Sequence, residues 1–450
     1  MEMIMQINGI INGIVWGPPI LVLIVGTGLF LSVKTGFFSI TKLGYILKNT
    51  LLKMFDKSTQ GEGEVTAFQA VATALAATVG TGNIAGVATA IALGGPGAIF
   101  WMWLAAIFGM TTKFAEVVLA VNFREKTQDG RFVGGPMYYI TKGLGWKWLA
   151  VLFAVFGALA AFGIGNMVQS NSVAAALESS FSINPLVTGL VLAVITALVI
   201  VGGIKRIGAF TEKLVPFMAA VYILGGLVII IVNAAKIPAA LGLIFSSAFT
   251  GHAAFGGFAG ATLMHAIRFG IARGVFTNEA GLGSSPIAHA AATTDHPVRQ
   301  GLWAVFEVFA DTLVICSITA LAIITSGVWE GGLSGAALTT AAFDASLPGG
   351  GYIVSIGIVM FAFSTIVGWE YYGERCAEYL FGPKINIIYR IIWIPFVVIG
   401  AIGGLNFVWD LADTLNGLMA IPNLVGIVAL SGTVFKLTKE FFSKEKTLNK

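Results

Sequence analysis

Residues 78–83 read Thr-Val-Gly-Thr-Gly-Asn, in the middle of a stretch (65–92) otherwise apolar enough to cross a bilayer. Residues 276–286, inside 258–290, read Phe-Thr-Asn-Glu-Ala-Gly-Leu-Gly-Ser-Ser-Pro. Such runs predict a broken helix, tolerated at membrane depth only where the freed backbone is buried in protein or lines a polar cavity. A break makes two new helix ends. The new N-terminus offers N–H groups and a positive dipole to an anion such as a carboxylate, and the new C-terminus offers carbonyls to a cation. Each break can therefore hold a carboxylate and a cation side by side. The alternative is a kinked packing helix with threonine hydroxyls bonded back to the backbone. Asn83 and Asn278 weigh against it, because an amide needs several partners. Catalysis finds less support. Ser284 and Ser285 have no histidine at matched depth, since His289 lies further along the same helix. The four histidines, at 252, 265, 289 and 296, lack metal-ligand spacing.

The elements that must position these residues follow from composition. The chain has 450 residues, 57% hydrophobic and only 11% charged. That excludes an ordinary soluble domain and indicates an all-α polytopic membrane protein. The 57 glycines fit closely packed membrane helices. One leading helix is predicted at 11–33. Ten core helices follow at 65–92, 97–121, 148–177, 186–203, 210–233, 258–290, 299–326, 351–380, 386–403 and 411–436, giving eleven transmembrane helices. Basic residues crowd alternate connections: Lys34 to Lys57, Arg124 to Lys147, Lys205 to Lys213, Arg299, Lys384, and the tail from Lys436 to Lys450. The positive-inside rule then sets the N-terminus outside and the C-terminus in the cytoplasm. Five core helices followed by five of opposite orientation, with the first of each set broken, form a 5+5 inverted repeat. Glycine-interrupted segments at matched positions in two halves point to a binding site. The units are 1–63 (leading helix and basic loop), 64–235 and 236–440 (the two repeats, the second with an external loop), and 441–450 (basic tail). Residues 131–145 suit an amphipathic cytoplasmic helix, and the base-free segment 327–351 an external lid. Cys316 and Cys376 lie in apolar segments and suggest no disulfide. The start, MEMIMQINGI, lacks the basic region of a cleavable signal.

Three stretches carry a family resemblance: ATVGTGNIAGVATAIALGGPGAIFWMW (77–103), FVGGPMYYI (132–140) and FTNEAGLGSSPIAHAAA (276–292). They resemble the alanine or glycine:cation symporters, the sodium:alanine symporter family, and the resemblance spans essentially the whole chain. It implies a leucine-transporter-type fold and inward, sodium-coupled symport of small neutral amino acids such as alanine and glycine, by alternating access across the cell membrane. A proton-coupled permease of the same fold is the alternative, and an intramembrane enzyme or a channel a distant one. The implied partners are the amino acid, sodium and the bilayer, with no nucleic acid, no obligate protein partner and no cofactor beyond the coupling ion.

The resemblance also implies residue roles. Gly80–Asn83 resembles the glycine-x-glycine-asparagine of the fold's first broken helix. Sodium would be held by the carbonyls of Ala76, Val79 and Phe361 and the hydroxyls of Ser364 and Thr365. The N–H groups of Thr81 and Gly82 would take the carboxylate. Carbonyls near Thr277 would take the ammonium, with Phe276 closing the pocket. Thr78, Asn83, Asn278 and Gly281 complete the substrate-facing set at the two breaks, Thr78 and Asn83 also being candidates for a second sodium site. Gln169 either reaches the site or only packs, and Trp369 either walls the pocket or only joins two helices. Glu279, an acid at membrane depth, binds the ammonium, or pairs with Arg273 or a backbone amide at the break, and the structural role is favoured. Arg268 and Arg273 guard the entrance or pair with loop acids. Glu307 and Asp311 have no assigned partners. Lys213, near the membrane edge, reads as a positive-inside anchor rather than a built-in substitute for sodium.

Overall fold

A computed structural model describes residues 2–54, 61–250, 259–403 and 406–448. Lys57, Lys450, His252 and the expected start of the sixth core helix at 258 lie outside these residues. The expected leading helix is two pieces, α1 (Glu2–Val15) and α2 (Pro18–Lys34). Pro18 and Pro19 supply no N–H to continue α1, and a proline suits the first turn of a new helix.

The first broken helix is α3 (Ala67–Thr78) and α4 (Ala85–Gly94). A capping box starts α3. The Gln69 N–H donates to Thr66 Oγ1 and the Thr66 N–H to Gln69 Oε1, each at 3.1 Å. Then come α5 (Ala98–Asn122), a two-stranded hairpin of β1 (Glu125–Lys126) and β2 (Phe132–Val133), and α6 (Pro136–Leu144). Three longer helices complete this half: α7 (Lys147–Phe181), α8 (Pro185–Ile200) and α9 (Gly203–Val232). The second half begins with α10 (Ile237–Thr250), then the second broken helix, α11 (Ala259–Asn278) and α12 (Pro286–His289). It continues with α13 (Pro297–Ser326), α14 (Gly335–Ser346), α15 (Gly350–Phe381), α16 (Ile385–Ile402), α17 (Asn406–Ala429) and α18 (Ser431–Leu448).

Among the described residues, eight helices are long and apolar enough to cross a bilayer. The other three expected spans fall on the two broken helices and on the 16-residue α8. Three boundaries differ from expectation. Helix α9 starts at Gly203 rather than 210, so Lys205 and Arg206 lie in its first turns. The expected external connection contains α10. The expected helix 411–436 divides at Leu430 into α17 and α18, and α18 takes up most of the expected tail.

The broken helices sit inside. Helix α5 packs along both α11 and α13, α7 along α15, and α9 along α3 and α15. Helices α8, α9 and α16 turn exposed apolar side chains outward, among them Leu190, Val194, Phe217, Leu224, Ile388 and Ile391. A belt of that size belongs in hydrocarbon. The chain before α3 meets the chain after α12: Val65 and Ala292 form a bridge, and the Thr293 N–H donates to the Val65 carbonyl at 2.7 Å. Arg124 staples this junction, donating to the carbonyls of Glu62, Ala290 and Ala292. The junction lies at the end of the bundle where Arg131, Lys205, Arg375 and Arg390 line one cavity, called the basic end below.

Small residues permit the inner crossings. A methyl group at Gly270 would stand 2.2 Å from the Ala98 carbonyl oxygen, whereas one at Gly44 would meet nothing within 4 Å. Gly270→Ala is therefore expected to destabilise by about 1–3 kcal/mol through overpacking. Gly44→Ala should be neutral or slightly stabilising. Thermal unfolding of both variants in detergent checks the contrast.

Candidate functional site

At the first break α3 stops at Thr78, Val79 and Gly80 run extended, and Thr81–Asn83 form a single tight turn before α4. Asn83 holds the turn. Its Oδ1 accepts the Gly80 N–H at 2.9 Å, and its Nδ2 donates to Asp311 Oδ1 at 2.6 Å and to Cys316 Sγ at 3.3 Å. At the second break Glu279, Gly281 and Gly283 have φ of 57°, 93° and 82°. These left-handed values come easily to glycine and are uncommon for glutamate. Asn278 Oδ1 accepts the Ala280 N–H at 3.0 Å, and its Nδ2 donates to Thr312 Oγ1 at 3.0 Å. Asp311 joins the two breaks, accepting from Thr277 Oγ1 at 3.1 Å and Thr312 Oγ1 at 2.7 Å as well as from Asn83. It lies in a π-helical stretch, Phe309–Cys316, inside α13. Such bulges recur at functional sites.

Charged residues of α5 secure the second break from behind. The Lys113 ammonium donates to Glu307 Oε1 at 2.5 Å and to the Asn278 carbonyl at 2.6 Å, and both charged side chains are fully buried. Glu307 also accepts from Ser285 Oγ and meets His289 Nε2, each at 3.1 Å. Glu116 Oε1 accepts the Gly281 N–H at 3.1 Å and Asn423 Nδ2 at 2.5 Å, and the same amide nitrogen donates to the Gly281 carbonyl.

The expected ion site assembles across two helices. Ser364 Oγ donates to the Ala76 carbonyl at 3.0 Å and to the Phe361 carbonyl at 2.8 Å. Thr365 Oγ1 reaches the Ala76, Ala77 and Phe361 carbonyls at 3.2, 3.3 and 2.9 Å. Val79 is buried at the end of α3, but the second α3 carbonyl that a hydroxyl reaches is that of Ala77. These hydroxyls and carbonyls are hard, neutral oxygens at the C-terminal end of α3. They suit a monovalent cation by charge and by dipole.

Beside this cluster lies a cavity of about 10 Å³, room for about one water. Thr78, Gly80, Thr81, Gly82, Gln169, Phe276, Thr277, Glu279, Thr365 and Trp369 line it. Thr81, Gly82 and Phe276 also line a second cavity of about 800 Å³, walled mostly by small residues of α4, α7 and α14. This vestibule reaches Ser179 and Ser180 near the C-terminal end of α7, away from the basic end. Trp369 walls the inner cavity and also packs on α7, where a methyl group at Gly165 would stand 2.2 Å from its Cβ.

Of the expected substrate residues, Thr78, Thr81, Gly82, Gln169, Phe276, Thr277 and Trp369 thus come together at the inner cavity. Asn83, Asn278 and Gly281 do not line it. Their polar groups are committed to Gly80, Asp311, Ala280, Thr312, Glu116 and Asn423, because freed backbone must be satisfied before any ligand is. Sequence reasoning missed Lys113 and Glu116 altogether. The available signal was two charges three residues apart inside a predicted span.

The sequence profile of the sodium:alanine symporter family matches residues 1–450. The sodium/alanine symporter AgcS of Methanococcus maripaludis is 54% identical over 449 residues, 98% of each chain. A probable sodium/glutamine symporter of Bacillus subtilis, GlnT, is 40% identical over 449 residues, 99% of this chain and 92% of that one. The crystal structure of MhsT in complex with L-phenylalanine matches with a TM-score of 0.54 at 18% identity, over 82% of this chain and 89% of that chain. At that identity the likeness shows the fold, a leucine-transporter-type fold.

Removing Lys113 leaves Glu307 as a buried unpaired charge. Lys113→Met is expected to cost roughly 3–5 kcal/mol. Adding Glu307→Gln should recover part of the loss, since the amide still meets Ser285 and His289. Denaturation midpoints of the two variants in detergent measure both effects.

Proposed function

The chain belongs to the sodium:alanine symporter family, and from that premise we propose that it is a secondary active carrier that brings alanine or glycine into the cell together with sodium. The observation that carries this reading is the convergence of Ser364 and Thr365 on the Ala76 carbonyl at the broken end of α3. Sodium replaces those hydrogen bonds, turning the hydroxyl oxygens toward itself and binding the Ala76, Phe361 and Ala77 or Val79 carbonyls. The ion thereby ties α15 to α3.

The substrate lies next to it. Thr81 and Gly82 present N–H groups at the start of the second half of the broken helix, where the dipole favours a carboxylate. Close approach requires glycine at 82, where a methyl group would stand 3.0 Å from Thr277 Cβ. Phe276 swings to open the inner cavity to the vestibule, and Trp369, backed by Gly165, limits the side chain to a small one. Asp311 with the Thr277 hydroxyl offers a carboxylate and a polar oxygen for a second cation between the breaks. Lys213 is exposed, and Thr211 is the α9 residue that meets Thr73 of α3. No amine from α9 therefore substitutes for the ion, which favours sodium over proton coupling.

Eleven spans, a leading helix plus a 5+5 inverted repeat, fit this reading, with the N-terminus outside and the basic end in the cytoplasm of the cell-membrane protein. The open vestibule and the stapled junction of Val65 with Ala292 correspond to an outward-facing arrangement. Transport alternates access by parting the basic end after the outer side closes.

Uptake of labelled alanine into liposomes tests the proposal, under an imposed sodium gradient, a proton gradient, or potassium alone. Uptake should require sodium. Ser364→Ala/Thr365→Ala should weaken sodium activation about 100-fold or more, at ~1.5–3 kcal/mol for each oxygen lost to a charged group. Uptake driven by protons alone would contradict the sodium assignment.

A further inference from the structure

The inner cavity holds an amide oxygen without a donor and, among the described residues, a carboxylate without a cation partner. Gln169 is 2% exposed. Its Nε2 donates to the Ile164 carbonyl at 3.0 Å, which fixes the direction of its Oε1, and that oxygen has no hydrogen-bond partner. The oxygen stands at the first break, since a methyl group at Gly80 would lie 3.7 Å from it. A buried amide oxygen without a donor is costly and needs a reason. The carboxylate is that of Glu279, 1% exposed and, among the described residues, the one charged group lining the inner cavity. Ser284 Oγ donates to its Oε2 at 2.6 Å, and the Trp369 side chain hydrogen-bonds it as well. Among the described residues no cation pairs with it. The nearest buried amine, Lys113, is bound to Glu307 and to the Asn278 carbonyl. Arg273 stands in the vestibule, its guanidinium 5.5 Å from the Phe276 ring centroid. Glu279 also keeps a left-handed backbone, a strained conformation that tends to persist where it serves function.

We propose that Glu279 and Gln169 together form the seat for the substrate's ammonium group. This rests on the transport function inferred above and names the part of that site that recognises the amine. An ammonium carries three donors and one positive charge. Glu279 supplies the missing counter-charge and Gln169 Oε1 a second acceptor from the opposite helix, α7. The alternative seat, carbonyls at the end of α11, is partly taken: Val275 O accepts the Glu279 N–H and Asn278 O accepts Lys113. Carboxylate recognition at Thr81 and Gly82 then sits across the cavity from amine recognition at Glu279 and Gln169. The site selects for a zwitterion. It rejects a hydroxy acid or simple carboxylate of the same size, because these leave Glu279 buried without a counter-charge and facing an anion.

Binding to the full-length protein in lipid nanodiscs tests this, with alanine, glycine, lactate and propionate as ligands and sodium binding measured separately without ligand. Wild type should bind alanine and glycine in sodium and neither lactate nor propionate. Glu279→Gln should weaken alanine about 100-fold, the loss of a charge-assisted contact of ~3 kcal/mol. It should leave sodium binding within about threefold and narrow the gap between alanine and lactate. Glu279→Asp, which keeps the charge, should recover part of the affinity. Gln169→Leu, on another helix and independent of the strained turn, should weaken alanine about tenfold with sodium binding unchanged. The proposal is overturned if wild type binds lactate as well as alanine. It is equally overturned if Glu279→Gln or Gln169→Leu binds alanine as wild type does, or if Glu279→Gln loses sodium and alanine binding together. Wild type that binds no small amino acid would overturn the transport reading itself, a result distinct from these.

Discussion

The Asp311 carboxylate is the point through which the two broken helices are held to each other. A helix can be interrupted inside a bilayer only if each freed N–H and C=O finds a partner in the protein. Here the first break hands its load to Asn83, and Asn83 hands it to Asp311. The second does so through Thr277, and through Asn278 by way of Thr312. Among the described residues no cation pairs with this carboxylate, so these donors offset its charge and its environment responds to any cation or dipole placed between the breaks. Lys113, Glu307 and Glu116 do the corresponding work behind α11, and their full burial shows how little of this polarity is left to solvent.

A consequence is that most polar side chains at the centre are committed to architecture. What remains for a ligand is small: the α3 carbonyls, two hydroxyls of α15, the turn at Thr81 and Gly82, and the acceptors Gln169 and Glu279. The closed basic end fits the same picture. Arg124 binds three carbonyls across the junction of the two halves. Arg131, Arg375 and Arg390 lace Glu374 and Glu378 together beneath α15 and α16. On the proposed alternating access, those contacts part while the far vestibule closes. On the proposed function, sodium held between α3 and α15 couples the ion to the position of the first broken helix.

Much of this was legible in the sequence because hydrocarbon imposes long apolar runs, and a polar interruption stands out against them. The breaks, the Ser364–Thr365 pair and the pocket residues Thr81, Gly82, Phe276 and Trp369 were all readable from composition, spacing and resemblance. What stayed hidden was decided by tertiary partners. Asn83 and Asn278 look like ligands by type, yet the backbone they stabilise claims them first. Lys113 and Glu116 share a helix whose apolar neighbours mask them, and their partners lie more than 160 residues away. The π-helical stretches at Ala161–Met167 and Phe309–Cys316 carry no local signature, because an inserted residue changes neither hydropathy nor propensity. Helix α10 was missed because an apolar helix of 14 residues falls short of a span.

The most direct test of the account is a structure of the protein in sodium and alanine, resolved well enough to show a monovalent ion. The account predicts the ion between the Ala76 carbonyl and the Ser364 and Thr365 hydroxyls. It also predicts alanine in an enlarged inner cavity, its carboxylate on Thr81 and Gly82. Alanine found only in the vestibule, with Ser364 and Thr365 still bonded to Ala76, would contradict it.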